Sequence, residues 1–450
     1  MIEDAQALEH ASADQSESST TTSIDFDDYD RARFMALDTR PVSTQAISLV
    51  NDVAHQIELW EQHSATRRNR RGPALSGPFA RAVARVIGDL VFAAFKSPER
   101  WSYRTMSRAT FSREEVTYRH FMAVFTALKG LGLIEVVRGF YDREGFLSRA
   151  TRIRASTPLL AMFGQHGIAP TSGPQHFQRT LPSRPLVLKA RSTRRGALKV
   201  SGRRMNFGHT DQTRALEAEV REINRFIANH ELDVGTHRGY RRIFNCGDDP
   251  DFHWNKGGRL YSLGEDSYQR LKKDQRLQMR INGEPVSEID VRASFLTILY
   301  ALNGARLNPT WDPYDVEGLP RDVVKAWITI TLGHDKFPIR WPSETIKDFR
   351  KGGLEVSAEH PVRRVREAVL AAHPILANWS SQSTTCFDLM FLESEAIVGT
   401  MLRLMREHGV VSLSVHDSLI APRSQLDLAR ETLCTEYERA VGVKPNLKVN

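Results

Sequence analysis

The sequence predicts an α+β protein with two folded parts: an N-terminal winged-helix domain and a C-terminal domain built on a mixed sheet. Three observations carry that expectation. Residues 101–157 run turn, helix, glycine, strand, loop, strand, the order of a helix-turn-helix variant with a β-hairpin wing. Two apolar strand-like runs in the C-terminal half each reach an aspartate, Asp290 and Asp417. The chain is 450 residues long and 41% hydrophobic, long for one domain and rich enough in apolar residues for more than one core.

Charge is unevenly spread. The net charge is +8, yet residues 1–30 hold nine Asp or Glu and no Lys or Arg, so the remaining 420 residues carry +17. A body that basic faces a polyanion, with nucleic acid the first candidate. Residues 1–40 are expected as a disordered acidic tail, poor in large apolar residues. No stretch approaches ~18 uninterrupted apolar residues, which excludes a spanning helix. Cys246, Cys386 and Cys434 are odd in number and widely spaced, the pattern of reduced thiols in a cytoplasmic protein.

Residues 41–165 are assigned to the winged-helix domain. Helical periodicity runs from about Ala46 to His63 and from Gly77 to Phe95, with the basic loop TRRNRRGP between them. A polar turn from Arg104 to Arg113 precedes a periodic helix from Val116 to Leu131, which Gly130 and Gly132 terminate. Strand-like runs Leu133–Val137 and Ala150–Arg154 follow. Arg119, Lys129, Arg138, Arg143, Arg149, Arg152 and Arg154 are the candidates to meet DNA phosphates. The alternative is a small packing unit with a solvated basic face. Residues 166–210, with the basic run Lys189–Arg204, are expected as a connector, and a helix returns over Thr213–His230.

The chemistry lies in residues 211–450. Val286 to Val291 read as a strand with Asp290 near its end, before an apolar helix over Ser294–Leu302. Val410 to Val415 enter, and Leu419-Ile420 leave, a hairpin with Asp417 at its tip. If the two strands are neighbours, the aspartates meet. Phosphoryl transfer uses such a pair to hold two Mg²⁺ ions roughly 3.5–4 Å apart, since hard cations prefer carboxylate oxygens. Arg321 and Lys325, at i and i+4, share one helical face and suit either a triphosphate or a solvated edge. Glu393 and Glu395 read as surface residues of the helix before the hairpin.

These motifs resemble the palm of family A DNA polymerases and single-subunit phage RNA polymerases. SVHDSLI is similar to the family's second carboxylate motif and EIDVRASF to its first. RDVVKAWITITLG, with Arg321, Lys325 and Gly333, is similar to the fingers helix that lines the incoming triphosphate. FHWNKGGRLYS resembles a glycine-rich segment of the same enzymes. The order GGRLY, INGEP, EID also fits a divergent group of phage and mobile-element proteins. The resemblance covers about residues 240–425 and implies a polymerase palm. Only 31 residues separate Asp290 from Arg321, so it implies reduced fingers as well.

The resemblance further implies Asp290 and Asp417 as ligands for Mg²⁺, or Mn²⁺, with His416 at the primer terminus or as a structural residue. Ser418 would hydrogen-bond the metal site. Gly258 and Arg259 would track a nucleic-acid strand, or form a turn with no such role. Phe295 would crowd the ribose 2′ position, or be core. The expected function is a template-directed, minimal family A-like DNA polymerase acting on primer–template or origin-like duplex DNA with nucleoside triphosphates, in the replication of a phage, plasmid or integrated element. The alternatives are an RNA polymerase or primer-synthesising enzyme on the same palm, and a non-catalytic winged-helix replication initiator or regulator.

Overall fold

The computed structural model describes residues 32–66, 77–141, 148–195, 198–334, 336–381 and 383–450. The chain divides into two units. One takes the chain to Arg184 together with Ser192–Asn206, and the other takes Pro185–Arg191 with Phe207–Asn450.

In the first unit, helices Thr44–His63, Pro78–Lys96 and Tyr118–Gly130 share a core that includes Leu49, Val53, Ile57, Val83, Ile87, Phe121 and Val124. Their ends follow local chemistry. Ser43 caps the first helix by accepting from the Ala46 amide at 3.0 Å. Pro78 opens the second, where an amide would have no partner. The third closes with Gly132 at φ 68° and the Leu133 amide donating back to the Leu128 carbonyl at 2.9 Å. Strand Thr151–Ala155 lies between Ser102–Arg104 and Ile134–Val137, antiparallel to both. Phe140–Tyr141 pairs with Ser148–Arg149, while Arg143 between them lies outside the described residues, as do residues 1–31 and most of the TRRNRRGP loop.

Residues 32–40 correct one expectation. They were assigned to the acidic tail, but Arg33–Phe34 adds a parallel strand beside Ser102–Tyr103, and Thr39–Pro41 pairs with Phe177–Arg179. Met35 and Leu37 are buried in the core. Each strand is too short to show periodicity in the sequence. The 166–210 stretch likewise carries several short elements, including strand Leu186–Lys189 and the hairpin Thr193–Arg195/Leu198–Val200.

The second unit is a mixed α+β body. Its central strand Glu284–Val291 is antiparallel to Ser418–Pro422, which pairs with Leu413–Val415. Leu447–Val449 joins the far end of the central strand. The INGEP motif enters this strand through a two-residue turn, with Asn282 and Gly283 at φ 51° and 81°, as a tight hairpin requires. A second sheet runs Leu186–Lys189 parallel to Tyr240–Phe244, which pairs antiparallel with Gly257–Ser262. Helix Cys386–His408 buries Leu389, Ile397, Met401 and Leu404. Helices Asp211–Ile227, Ser294–Leu302, Arg321–Leu332 and Leu426–Val441 add to the same core. No described helix is long and apolar enough to cross a membrane.

Candidate active site

The two aspartates meet at one end of the central strand pair. Asp290 is in register with Ser418, and the Val291 amide donates to the Asp417 carbonyl at 3.2 Å. The register sets Asp290 opposite Ser418, the residue that follows Asp417, so both aspartates come to the same end of the hairpin. The hairpin carrying Asp417 has a two-residue loop, His416-Asp417, between the paired Val415 and Ser418. His416 takes φ 55°, uncommon for a residue other than glycine.

The carboxylates differ in environment. Asp290 is held by three donors: Lys273 Nζ at 2.5 Å, Asn450 Nδ2 at 2.7 Å, and the Ser418 hydroxyl. Burial pushes its carboxyl up, but hydrogen bonds from Lys273 and Ser418 leave it net below the usual range. Asp417 has no side-chain donor among the described residues. Burial, then the Glu393 charge, push its carboxyl up to about 7, with Arg259 opposing and Asp290 adding to the rise. The residue as a whole keeps some surface exposure, while its carboxyl is crowded by charged neighbours. Crowded carboxylates of this kind are what a divalent cation relieves. Among the described residues no group of three or more His, Cys, Asp and Glu is placed to hold a metal ion. Two carboxylates with water and substrate phosphate is nonetheless a usual Mg²⁺ arrangement, and these residues fit it.

Glu393 corrects a second expectation. Read as a surface residue, it is 1% exposed. Arg259 Nε donates to its Oε1 at 2.8 Å, and the same guanidinium lies 5.4 Å from the centre of the Phe295 ring. Arg259 therefore sits among the carboxylates, and Phe295 lies beside it. Gly258 is buried at φ 83°, and a Cβ there would meet Ser394 Oγ at 2.8 Å. Its carbonyl accepts from Arg242 Nε at 2.9 Å. Gly258 thus serves a close helix–strand approach. Arg242 is itself buried and pairs with Glu395 and Glu219.

His416 faces Tyr261, ring centres 6.3 Å apart. Burial first, and the Arg259 charge second, bring it down to about 4, so its ring is neutral at physiological pH. Its buried Nδ1 has no partner among the described residues.

Arg321 opens the helix Arg321–Leu332. Its Nε donates to Asp312 Oδ2 at 2.6 Å and its guanidinium lies 5.2 Å from the Tyr314 ring centre. Burial, then the Asp417 charge, push the Tyr314 hydroxyl up to about 12, while Arg321 opposes. The charges of Arg321 and Asp417 thus act in opposite senses on the same hydroxyl. Lys325 is exposed one turn further on. Gly333 caps the opposite end of this helix, ~18 Å from Arg321 at 1.5 Å per residue, and the fold does not bring it to the Arg321 end.

In the first unit, Arg119 and Lys129 are exposed on helix Tyr118–Gly130. Arg152 is half-buried, with its guanidinium 5.0 Å from the Tyr103 ring centre. Sequence reasoning missed Lys273, Glu393, Asn450 and Tyr314. None had a local signal, because each reaches the site from an element distant in sequence.

No protein family matches this sequence, and no curated protein does. Among solved structures the chain is similar to the POL domain of Pol1 from M. smegmatis, solved in complex with DNA primer-template and dNTP. The identity is 9%, the match covers 92% of this chain and 67% of that one, and the TM-score is 0.27. A score that low carries no argument, and the reading of the site rests on its own geometry.

Proposed function

We propose that the chain is a template-directed nucleotidyltransferase, a minimal DNA polymerase that uses Mg²⁺. The observation that carries this reading is the meeting of Asp290, near the end of its strand, with Asp417 in the loop of the adjoining hairpin. Bound Mg²⁺ would lower the pKa of the attacking hydroxyl and stabilise charge on the leaving oxygen. Asp290 and Asp417 would hold it. Arg321 and Lys325 would neutralise the β- and γ-phosphates as pyrophosphate leaves. Lys273 would have to release Asp290 when the cation binds. Arg259, oriented by Glu393, and Phe295 would form the wall against which the sugar rests, which favours deoxynucleotides. Mn²⁺ would serve at the same ligands.

A winged helix would account for the first unit's strand order 33–34, 102–104, 151–155, 134–137, with helix Tyr118–Gly130 leading into the last of these strands. Duplex DNA would meet Arg119, Lys129 and Arg152. One observation favours the non-catalytic initiator or regulator instead. Lys273 already occupies Asp290 with a cation of its own.

A primer-extension assay decides between them. Labelled primer–template, Mg²⁺ and dNTPs are expected to give extension, weaker with rNTPs, and Asp417→Ala should lose on the order of a thousandfold or more. Efficient rNTP use without a primer would reassign the chain to RNA or primer synthesis. No incorporation of any nucleotide would leave the initiator reading.

A further inference from the structure

We propose that a cavity in the first unit, between the 108–113 turn and the 203–206 segment, binds the phosphate groups of a nucleotide. The cavity measures about 530 Å³ and its lining includes Arg108, Arg113, Arg203 and Arg204, with Phe111 and Tyr118. No carboxylate lines it. This site is separate from the aspartate pair and does not depend on the polymerase reading.

The two walls come from distant parts of the chain. One is the turn Arg108–Phe111 with Arg113 at φ 57°. The other is held against it by Arg204, whose Nη1 pairs with Glu114 Oε1 at 2.5 Å and donates to the Thr110 carbonyl at 3.4 Å. Glu114 therefore offsets Arg204 from behind the wall. Arg108 and Arg203 remain exposed, with the Arg108 guanidinium 5.5 Å from the Tyr118 ring centre.

With Arg204 offset by Glu114, the exposed guanidinium groups of Arg108 and Arg203 face a cavity whose lining holds no carboxylate, and a polyanion would neutralise them. Their planar forks match phosphate oxygens in bidentate geometry. Tyr118, the first residue of helix Tyr118–Gly130, lines the same cavity. The volume lies in the range of small-molecule sites and exceeds what one phosphate fills. Phe111 and Tyr118 supply an apolar wall for the sugar or base. The phosphate can belong to a free nucleoside triphosphate or to a DNA backbone.

The test uses the full chain in EDTA, which deprives the aspartate site of its cation. Binding of dATP, inorganic pyrophosphate and a short blunt duplex is measured for wild type, for the double variant Arg108→Ala/Arg203→Ala, and for Asn206→Asp, which sets a carboxylate at the cavity rim. Lys351→Ala, which removes one exposed cation outside the cavity, is the control. The double variant and Asn206→Asp should each bind dATP at least about tenfold more weakly, with pyrophosphate competing and Lys351→Ala unchanged. If only the duplex loses affinity, the phosphate is that of DNA and the site stands. Binding of all three probes within about twofold of wild type, in variants with unaltered thermal unfolding, overturns the proposal.

Discussion

Arg259 and Glu393 form a buried ion pair across 134 residues of sequence, Nε to Oε1 at 2.8 Å, and both charges act on Asp417. The pair ties strand Gly257–Ser262 to helix Cys386–His408 and sets the charge around the second aspartate. A carboxylate inside the helix, facing the sheet, is tolerable only because that guanidinium meets it.

Glu393→Gln leaves Arg259 with an uncompensated charge. It is expected to cost about 3–5 kcal/mol in denaturant unfolding. The double variant Glu393→Gln/Arg259→Gln should recover much of that loss, since neither charge is then stranded. A single-variant cost below about 1 kcal/mol would show that solvent already reaches the pair.

Phe295 lies under Arg259 rather than in the middle of the core. If the ring crowds the ribose, Phe295→Ala should raise rNTP incorporation relative to dNTP by about tenfold or more, the scale of one lost steric contact. Steady-state kinetics with matched dNTP and rNTP pairs measures this. An unchanged ratio would leave the ring a packing role only.

His237 sets a pH dependence away from the aspartates. Burial brings its folded value down to about 3, and the ring packs 4.5 Å from Tyr240. Above its ordinary value near 6.5 the ring is neutral whether folded or unfolded, and contributes no pH dependence. As pH falls below 6.5 the unfolded chain takes up a proton that the folded chain refuses, so stability is lost progressively toward pH 3. His237→Phe should flatten the decline in Tm between pH 6.5 and 4. Parallel Tm curves for the two proteins would place the acid sensitivity elsewhere.

Gly258 combines a positive φ with a close approach, whereas Gly409, at φ 64°, has nothing within 4 Å of an added Cβ. Gly409→Ala should therefore cost about 1 kcal/mol, the backbone strain alone. Gly258→Ala should cost about 1–3 kcal/mol more, because Ser394 and Phe244 must give way. Equal losses in thermal unfolding would mean that the helix shifts freely to admit the methyl group.

Much of this was legible in order along the chain. Asp290 on a strand, Asp417 at a hairpin tip and the helix Ser294–Leu302 follow from patterns along the chain, while the 321–332 helix is legible through its resemblance to a fingers helix. Those signals are local, and each is repeated over several residues. The short strands at residues 33–34 and 39–41 were not legible, because two or three residues carry no period. The packing of Gly258 against Ser394 was not legible for a different reason: a glycine that admits a nucleic-acid backbone and one that admits a neighbouring helix look the same in sequence.

The sequence by itself determined which residues can ionise, where strands and helices start, and that two aspartates stand at strand ends. Only the tertiary structure decided that Asp290 and Asp417 are neighbours, that Lys273, Ser418 and Asn450 hold the first, and that Glu393 crowds the second. Local propensity acts through adjacent residues. Burial and charge act through space, and they depend on which distant segments the sheet register brings within a few ångströms.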